Sequence, residues 1–196
     1  MQKIITIRHG STKLNADDRI RGLRDIPLSS EGVREAEEAG KKLKKDKVKI
    51  DKLIVSPLKR TKKTAQIISK ITGVPIAGYS KALLPWDLGI MTGQKVKEVM
   101  PLVEYYARKH PDVPVPDGES FNAFKNRFLG AIYDLVSKDP NHDVGIVTSH
   151  RDERLLNAWL KAGAKPDLSY DTDTFLQKGI PPGGYEILKV KLDKIK

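Results

Sequence analysis

Three short apolar runs, each ending in a cation or a histidine, constrain this chain more than anything else in it. Ile4-Ile5-Thr6-Ile7 runs into Arg8-His9-Gly10, Leu53-Ile54-Val55 into Ser56-Pro57-Leu58-Lys59-Arg60, and Val144-Gly145-Ile146-Val147 into Thr148-Ser149-His150-Arg151. Such β-branched runs read as buried strands. Between them, apolar residues recur at helical spacing. Val33, Ala36, Gly40 and Leu43 follow an N-cap expected at Ser30, and a helix is predicted from Leu58 to Ile71 with Gly73 as its stop. Phe121, Phe124, Phe128, Ile132 and Leu135 fall on one face of a segment running from residue 119 to 137 and read as core. Strand and helix signals that alternate in this way predict an α/β domain with a mainly parallel sheet. The four strands expected cover residues 3–8, 52–56, 143–149 and 184–192. Residues 83–93 read as a loop, 94–110 as one or two short helices broken by Pro101, and 153–162 as a helix.

The 196 residues carry no repeat and no linker, so a single domain over 1–196 is expected, with a specificity or cap segment around 86–117. The net charge of +11 comes from 36 Lys and Arg against 25 Asp and Glu. The lysines are scattered along the chain, which reads as a solvated surface rather than a nucleic-acid footprint. Without cysteine there is no disulfide, thiolate or Cys-bound zinc. No apolar run approaches the roughly 20 residues that span a bilayer, and the first apolar stretch is too short for a signal peptide. A cytoplasmic protein is the expectation. The oligomeric state, monomer or dimer, is left open.

In an open parallel sheet, ligands bind outside the carboxyl ends of the strands. If the three runs are neighbours, Arg8, His9, Arg60 and His150 converge at one edge. Any one of them alone would be an ordinary polar strand end; the recurrence in three βα units carries the argument. Guanidinium groups grip phosphate oxygens in bidentate fashion and stay charged. A neutral imidazole can attack phosphorus and form a phosphohistidine that water later hydrolyses. With arginines supplying positive charge, neither metal nor cofactor is expected, and no HExxH or Asp-rich cluster is present.

At these residues the chain resembles the histidine phosphatase superfamily, in the branch shared with cofactor-dependent phosphoglycerate mutases. The matching blocks are Arg8-His9-Gly10-Ser11-Thr12 with Asn15, then Arg19-Ile20-Arg21-Gly22 with Asp25, Pro27-Leu28-Ser29, Gly32 and Ala36. Ser56-Pro57-Leu58-Lys59-Arg60-Thr61 with Thr64-Ala65, Gly118-Glu119-Ser120 with Arg127, and Val147-Thr148-Ser149-His150 follow in the expected order. The resemblance implies a three-layer α/β/α sandwich and a small phosphorylated substrate. It implies that His9 is the nucleophile and that Arg8, Arg60 and His150 clamp the phosphoryl oxygens, with His150 protonated beside bound phosphate. Ser11, Thr12, Asn15, Arg21 and Gly22 would lie on the substrate side.

The chain departs from the family in two places. Where relatives carry the glutamate that protonates the leaving oxygen, this chain has Pro85. Asp87, beside Trp86, is the first candidate for that acid and Asp152 the second; the third possibility is no enzymatic acid at all. Arg151 follows His150 where relatives have a small residue, adding a cation at the pocket mouth. The further mutase signals, including a paired arginine in the cap, are missing. Phosphomonoester hydrolysis is therefore expected ahead of mutase-type phosphoryl transfer or a catalytically weak phosphate- or polyanion-binding module.

Overall fold

The structure, a computed structural model, describes residues 1–190. In chain order its elements are β1 (Lys3–Arg8), α1 (Lys13–Ala16), α2 (Ser30–Lys45), β2 (Lys52–Val55), α3 (Lys59–Thr72), β3 (Ile76–Tyr79), α4 (Val96–Glu104), α5 (Phe121–Lys138), β4 (Val144–Thr148), α6 (His150–Lys161), α7 (Thr172–Leu176) and β5 (Tyr185–Lys189). The five strands form one sheet in the order β3-β2-β4-β1-β5. β4 pairs in parallel with both β1 and β2, β3 is parallel to β2, and β5 runs antiparallel to β1 along one edge. The three runs singled out in the sequence are thus adjacent, with β4 in the centre.

Both faces of these strands are covered. Ile4, Val144 and Ile146 belong to a core built with Phe121, Phe124, Phe128 and Ile132 of α5 and Leu155, Leu156 and Trp159 of α6. Ile5, Ile7, Leu53, Val55 and Val147 face the other way, onto Ala39 and Leu43 of α2 and Ala65 and Ile68 of α3. Neighbouring residues of one strand therefore bury into opposite cores, which is why the runs are apolar without alternation. The result is the three-layer α/β/α arrangement. No helix among the described residues is long and apolar enough to cross a membrane.

Several elements differ from expectation, each for a local reason. Ser29, not Ser30, caps α2: it is extended, and its hydroxyl accepts from Gly32 N–H at 3.1 Å. Pro101 lies inside α4 without breaking it. The N–H that proline lacks would have met the carbonyl of exposed Lys97, where water can replace it. The irregularity falls instead on Tyr105–Lys109, a wide π turn. Leu135 is only partly buried, and Val136 takes the core position. α6 begins at His150, three residues earlier than the helix periodicity indicated. β3 had no counterpart in the sequence reading, and the Leu192 end of the last predicted strand lies outside the described residues.

The loop after β1 is fixed by a very close backbone approach. A Cβ on Gly10 would stand 2.1 Å from the Gly32 carbonyl oxygen, and one on Gly32 would stand 2.0 Å from that of Ser11. Ser29 also donates to the Ser11 carbonyl, from its N–H at 2.9 Å and its hydroxyl at 3.1 Å. The first turn of α2 is thereby pressed onto the residues that follow His9. Gly32→Ala should destabilise the fold by about 1–3 kcal/mol through this overpacking. Gly130→Ala in α5, where a Cβ meets nothing within 4 Å, should stabilise by about 0.5–1 kcal/mol. Denaturant titration of the two variants reads both signs.

Candidate active site

β1 ends in Arg8 and leads into His9, β4 leads through Ser149 into His150, and Arg60 sits on the first turn of α3 behind β2. A cavity of about 310 Å³ opens at these strand ends, and its lining combines Arg19, Arg21, Arg60, His150, Arg151 and Arg154 with apolar Ile20, Pro85, Trp86, Val96 and Met100. Arg8 and His9 are buried and are not part of that lining. The lining includes five arginines and no carboxylate. No described carboxylate oxygen lies within 4.0 Å of a basic group of Arg8, Arg21, Arg60, Arg151 or Arg154.

The hydrogen bonds fix the tautomers. His9 Nδ1 lies 2.7 Å from the Gly10 carbonyl oxygen, which can only accept, so Nδ1 carries the hydrogen. Nε2 is left with a lone pair and has no partner. Burial, helped by Arg60 and Arg21, holds this imidazole well below its usual pKa, so it is neutral at pH 7. His150 Nδ1 lies 3.0 Å from Arg8 Nη1, which can only donate, and 3.2 Å from Glu153 Oε1; with Glu153 protonated at neutral pH, Nδ1 is the acceptor and neutral His150 carries its hydrogen on Nε2. Burial and the charges of Arg8, Arg154 and Arg151 push His150 down to about 3. The protonated His150 expected beside phosphate is therefore not the form of the empty site, where burial and the arginine charges outweigh the neighbouring Glu153 carboxyl.

Backbone carbonyls hold the two arginines. Arg60, 1% exposed, donates to the Arg24 carbonyl at 2.7 Å and the Gly22 carbonyl at 3.1 Å. Gly22 adopts φ +49°, and a Cβ there would meet Thr92 Oγ1 at 2.5 Å. Arg8 donates to the Ile180 carbonyl at 2.7 Å. Burial lowers both guanidinium groups to about 10, which leaves them charged at neutral pH.

Other sequence candidates are tied into the scaffold. Ser11 donates to Glu35 of α2 from its N–H at 2.5 Å and its hydroxyl at 2.9 Å. Thr12 donates to Asn15 Oδ1 from its N–H and its hydroxyl, both at 2.9 Å. Arg21, Gly22 and Arg151 line the cavity; Ser11, Thr12 and Asn15 do not. Asp87 is not in the lining either: its Oδ1 accepts from Gly89 N–H at 3.1 Å, as in a turn cap. Pro85 is in the lining. Its loop is held by Arg127, which donates to the carbonyls of Ala82 and Leu84, both at 2.9 Å, and to Glu119 Oε1 at 2.6 Å.

Asp152 is fully buried; its Oδ2 accepts from Thr148 Oγ1 at 2.7 Å and from Ser149 N–H at 3.2 Å, and burial lifts it to about 6. Glu153, Arg154 and Ile180 were not singled out by the sequence. Because α6 starts at His150, Glu153 lies one turn below the imidazole, with Oε1 3.2 Å from His150 Nδ1 and accepting from Ile180 N–H at 3.0 Å. Burial pushes Glu153 up to about 8 against the pull of Arg8. No group of three metal-ligating side chains occurs among the described residues.

Comparisons with known proteins agree on the family. Residues 4–171 match the histidine phosphatase superfamily (branch 1) model. The "Uncharacterized phosphatase PhoE" of Bacillus subtilis is 33% identical over 147 residues, which are 75% of this chain and 71% of that protein. A "Probable phosphoglycerate mutase GpmB" of Salmonella arizonae is 31% identical over 67% of this chain and 62% of its own length. Among solved structures, Bacillus stearothermophilus YhfR superposes with a TM-score of 0.78 at 25% identity, covering 97% of this chain and 92% of that one. The chain belongs to branch 1 of the histidine phosphatase superfamily.

The raised Glu153 gives a pH signature. Folded Glu153 keeps its proton to about 8 while the unfolded chain releases it near 4.5, so stability falls as pH rises between those values. Between pH 7 and 8 the unfolded His9 and His150 have lost most of their protons, so the Glu153 slope outweighs their opposing contribution. The slope there is at most about 1.4 kcal/mol per pH unit. Thermal melts across that window should show a falling midpoint for the natural chain and a flatter one for Glu153→Gln.

Proposed function

We propose that this member of the histidine phosphatase superfamily is a metal-independent phosphomonoester hydrolase whose nucleophile is His9. One observation carries the reading: a buried, neutral imidazole with a bare Nε2 beside arginines that no carboxylate neutralises. A nucleophile must present a lone pair, and a phosphoryl group in transfer needs positive charge around its oxygens. Nε2 attacks phosphorus, the phosphorus–ester oxygen bond breaks, and the leaving oxygen takes up a proton. Water then attacks the phosphohistidine, its proton passes to solvent, and inorganic phosphate leaves with His9 restored. Arg8 and Arg60 stabilise the equatorial oxygens, and His150 donates from Nε2, gaining a proton once the bound dianion offsets the arginines.

The leaving oxygen takes its proton from solvent in this reading. What supports it is the lining itself: Pro85 is part of it, whereas Asp87, which caps Gly89, and Asp152, whose Oδ2 accepts from Thr148 and Ser149, are not. Esters with good leaving groups are the substrates such a site hydrolyses fastest. The phosphatase name of the Bacillus subtilis relative favours hydrolysis, and the mutase name of the Salmonella one supplies the alternative.

Phosphate release from p-nitrophenyl phosphate is the test, and His9→Ala should lower it at least about 10³-fold. Equal rates in the two proteins would sink the proposal. Asp87→Asn should keep activity within about threefold, and across a series of esters the rate should fall steeply as the leaving group becomes more basic. Conversion of 3-phosphoglycerate stimulated by its bisphosphate, with no net phosphate release, would favour the mutase instead. Tight phosphate binding with neither turnover would mark a binding module.

A further inference from the structure

The cavity holds more positive charge than one phosphoryl group can use. Arg8 and Arg60 match a phosphoryl dianion, in the reading proposed above. Arg21, Arg151 and Arg154 remain in the lining, with no described carboxylate oxygen within 4.0 Å of any of them. They also repel one another: Arg154 and Arg21 both disfavour the charge on Arg151.

Arg151 is placed where a cation is least welcome. It is the second residue of α6, and the first turn of a helix carries positive partial charge. Its Nη2 rests 3.7 Å from Met100 Sδ, a poor acceptor for a guanidinium. The one nearby carboxylate that favours its charge, Asp152, accepts from Thr148 and Ser149 through Oδ2, and neither of its oxygens lies within 4.0 Å of the Arg151 guanidinium. The Nε of Arg154 is buried without a partner while its guanidinium stacks over Phe175 at 5.3 Å. A surface role for Arg151 would leave it free to turn into water; here it lines the cavity. Three partly buried cations that destabilise the empty protein make physical sense if an anion arrives to satisfy them.

We propose that Arg151, with Arg21 and Arg154, forms a second anion subsite, and that the cavity's natural ligand carries a second anionic group, a carboxylate or a further phosphoryl group, besides the one placed at His9. Both chemistries suit a guanidinium fork. The inference rests on the phosphoryl group occupying Arg8 and Arg60.

Hydrolysis-resistant phosphonates separate binding from chemistry. Calorimetry would compare butylphosphonate with 3-phosphonopropionate and with propane-1,3-diphosphonate. At least one doubly anionic ligand should bind ten or more times more tightly than butylphosphonate, and the stronger of the two identifies the second group. Arg151→Met should cut that ratio below about threefold, whereas Lys70→Met, an equal loss of charge on the exposed face of α3, should leave it unchanged. A natural-chain ratio near one overturns the proposal whatever the variants do, as does a high ratio that survives in Arg151→Met. Should that variant fail to fold, Arg154→Met takes its place under the same criterion. Turnover of p-nitrophenyl phosphate is followed in parallel. A chain that turns it over with a ratio near one loses the subsite and keeps the phosphatase reading. A high, Arg151-dependent ratio without turnover keeps the subsite and removes that reading.

Discussion

A guanidinium withdrawn from water and held by two carbonyls, rather than by a carboxylate, is the constraint on which this site depends. Had Arg60 been paired with an aspartate, its charge would be cancelled locally and an incoming phosphate would have to compete for it. Bonded to the Arg24 and Gly22 carbonyls instead, it is fixed in place and keeps its full charge. Arg8 follows the same rule with Ile180. The consequences spread to every titratable neighbour. His9 and His150 stay neutral because an imidazolium would add charge to an already cationic, dry site. In the proposed reaction a neutral His9 leaves Nε2 able to attack, so one electrostatic arrangement would supply both the attacking group and the oxygen clamp.

The strand ends were readable from the sequence because their convergence depends on topology alone. Ile4–Ile7, Leu53–Val55 and Val144–Val147 are buried on both faces, and any parallel arrangement that makes them neighbours brings Arg8, His9, Arg60 and His150 together. What was not readable depended on weaker signals. β3 is half-exposed and contains Gly78, so its pattern lacks the apolar density of the other runs. The choice between Ser29 and Ser30 as helix cap turns on tertiary bonds to the Ser11 carbonyl, which no local pattern encodes. The start of α6 mattered most. With His150 as its first residue, positions 150, 153 and 154 share one helical face, and Glu153 and Arg154 join the site. Periodicity over 153–162 finds the helix but not its polar first turn, where apolar spacing has not begun.

The block Gly118-Glu119-Ser120 with Arg127 has a physical meaning that its sequence form concealed. Glu119 accepts from Asp87 N–H at 3.0 Å through its carboxylate, and its main-chain carbonyl accepts from Trp86 Nε1 at 3.0 Å. Arg127 adds the bonds to Ala82 and Leu84. Together they clamp an otherwise irregular loop and so hold Pro85 and Trp86 in the cavity lining. This is positioning by a partly buried ion pair with further hydrogen bonds on both partners, the circumstance in which such a pair specifies geometry.

The lining mixes two chemistries: Ile20, Trp86, Val96 and Met100 are apolar, while the arginines and His150 offer guanidinium groups and an imidazole. Tyr105, Tyr106, Arg108 and Lys109 of the π turn after α4 are not in the lining, and Tyr106 packs against the core. Discrimination among phosphate esters would then depend on how a carbon skeleton meets the apolar residues while its charged ends reach the arginines. A rigid apolar wall contributes about 1–3 kcal/mol per methylene accommodated or refused, whereas an unmatched buried charge is rejected far more strongly. Charge placement on the ligand should therefore outrank skeleton length in deciding what this cavity accepts.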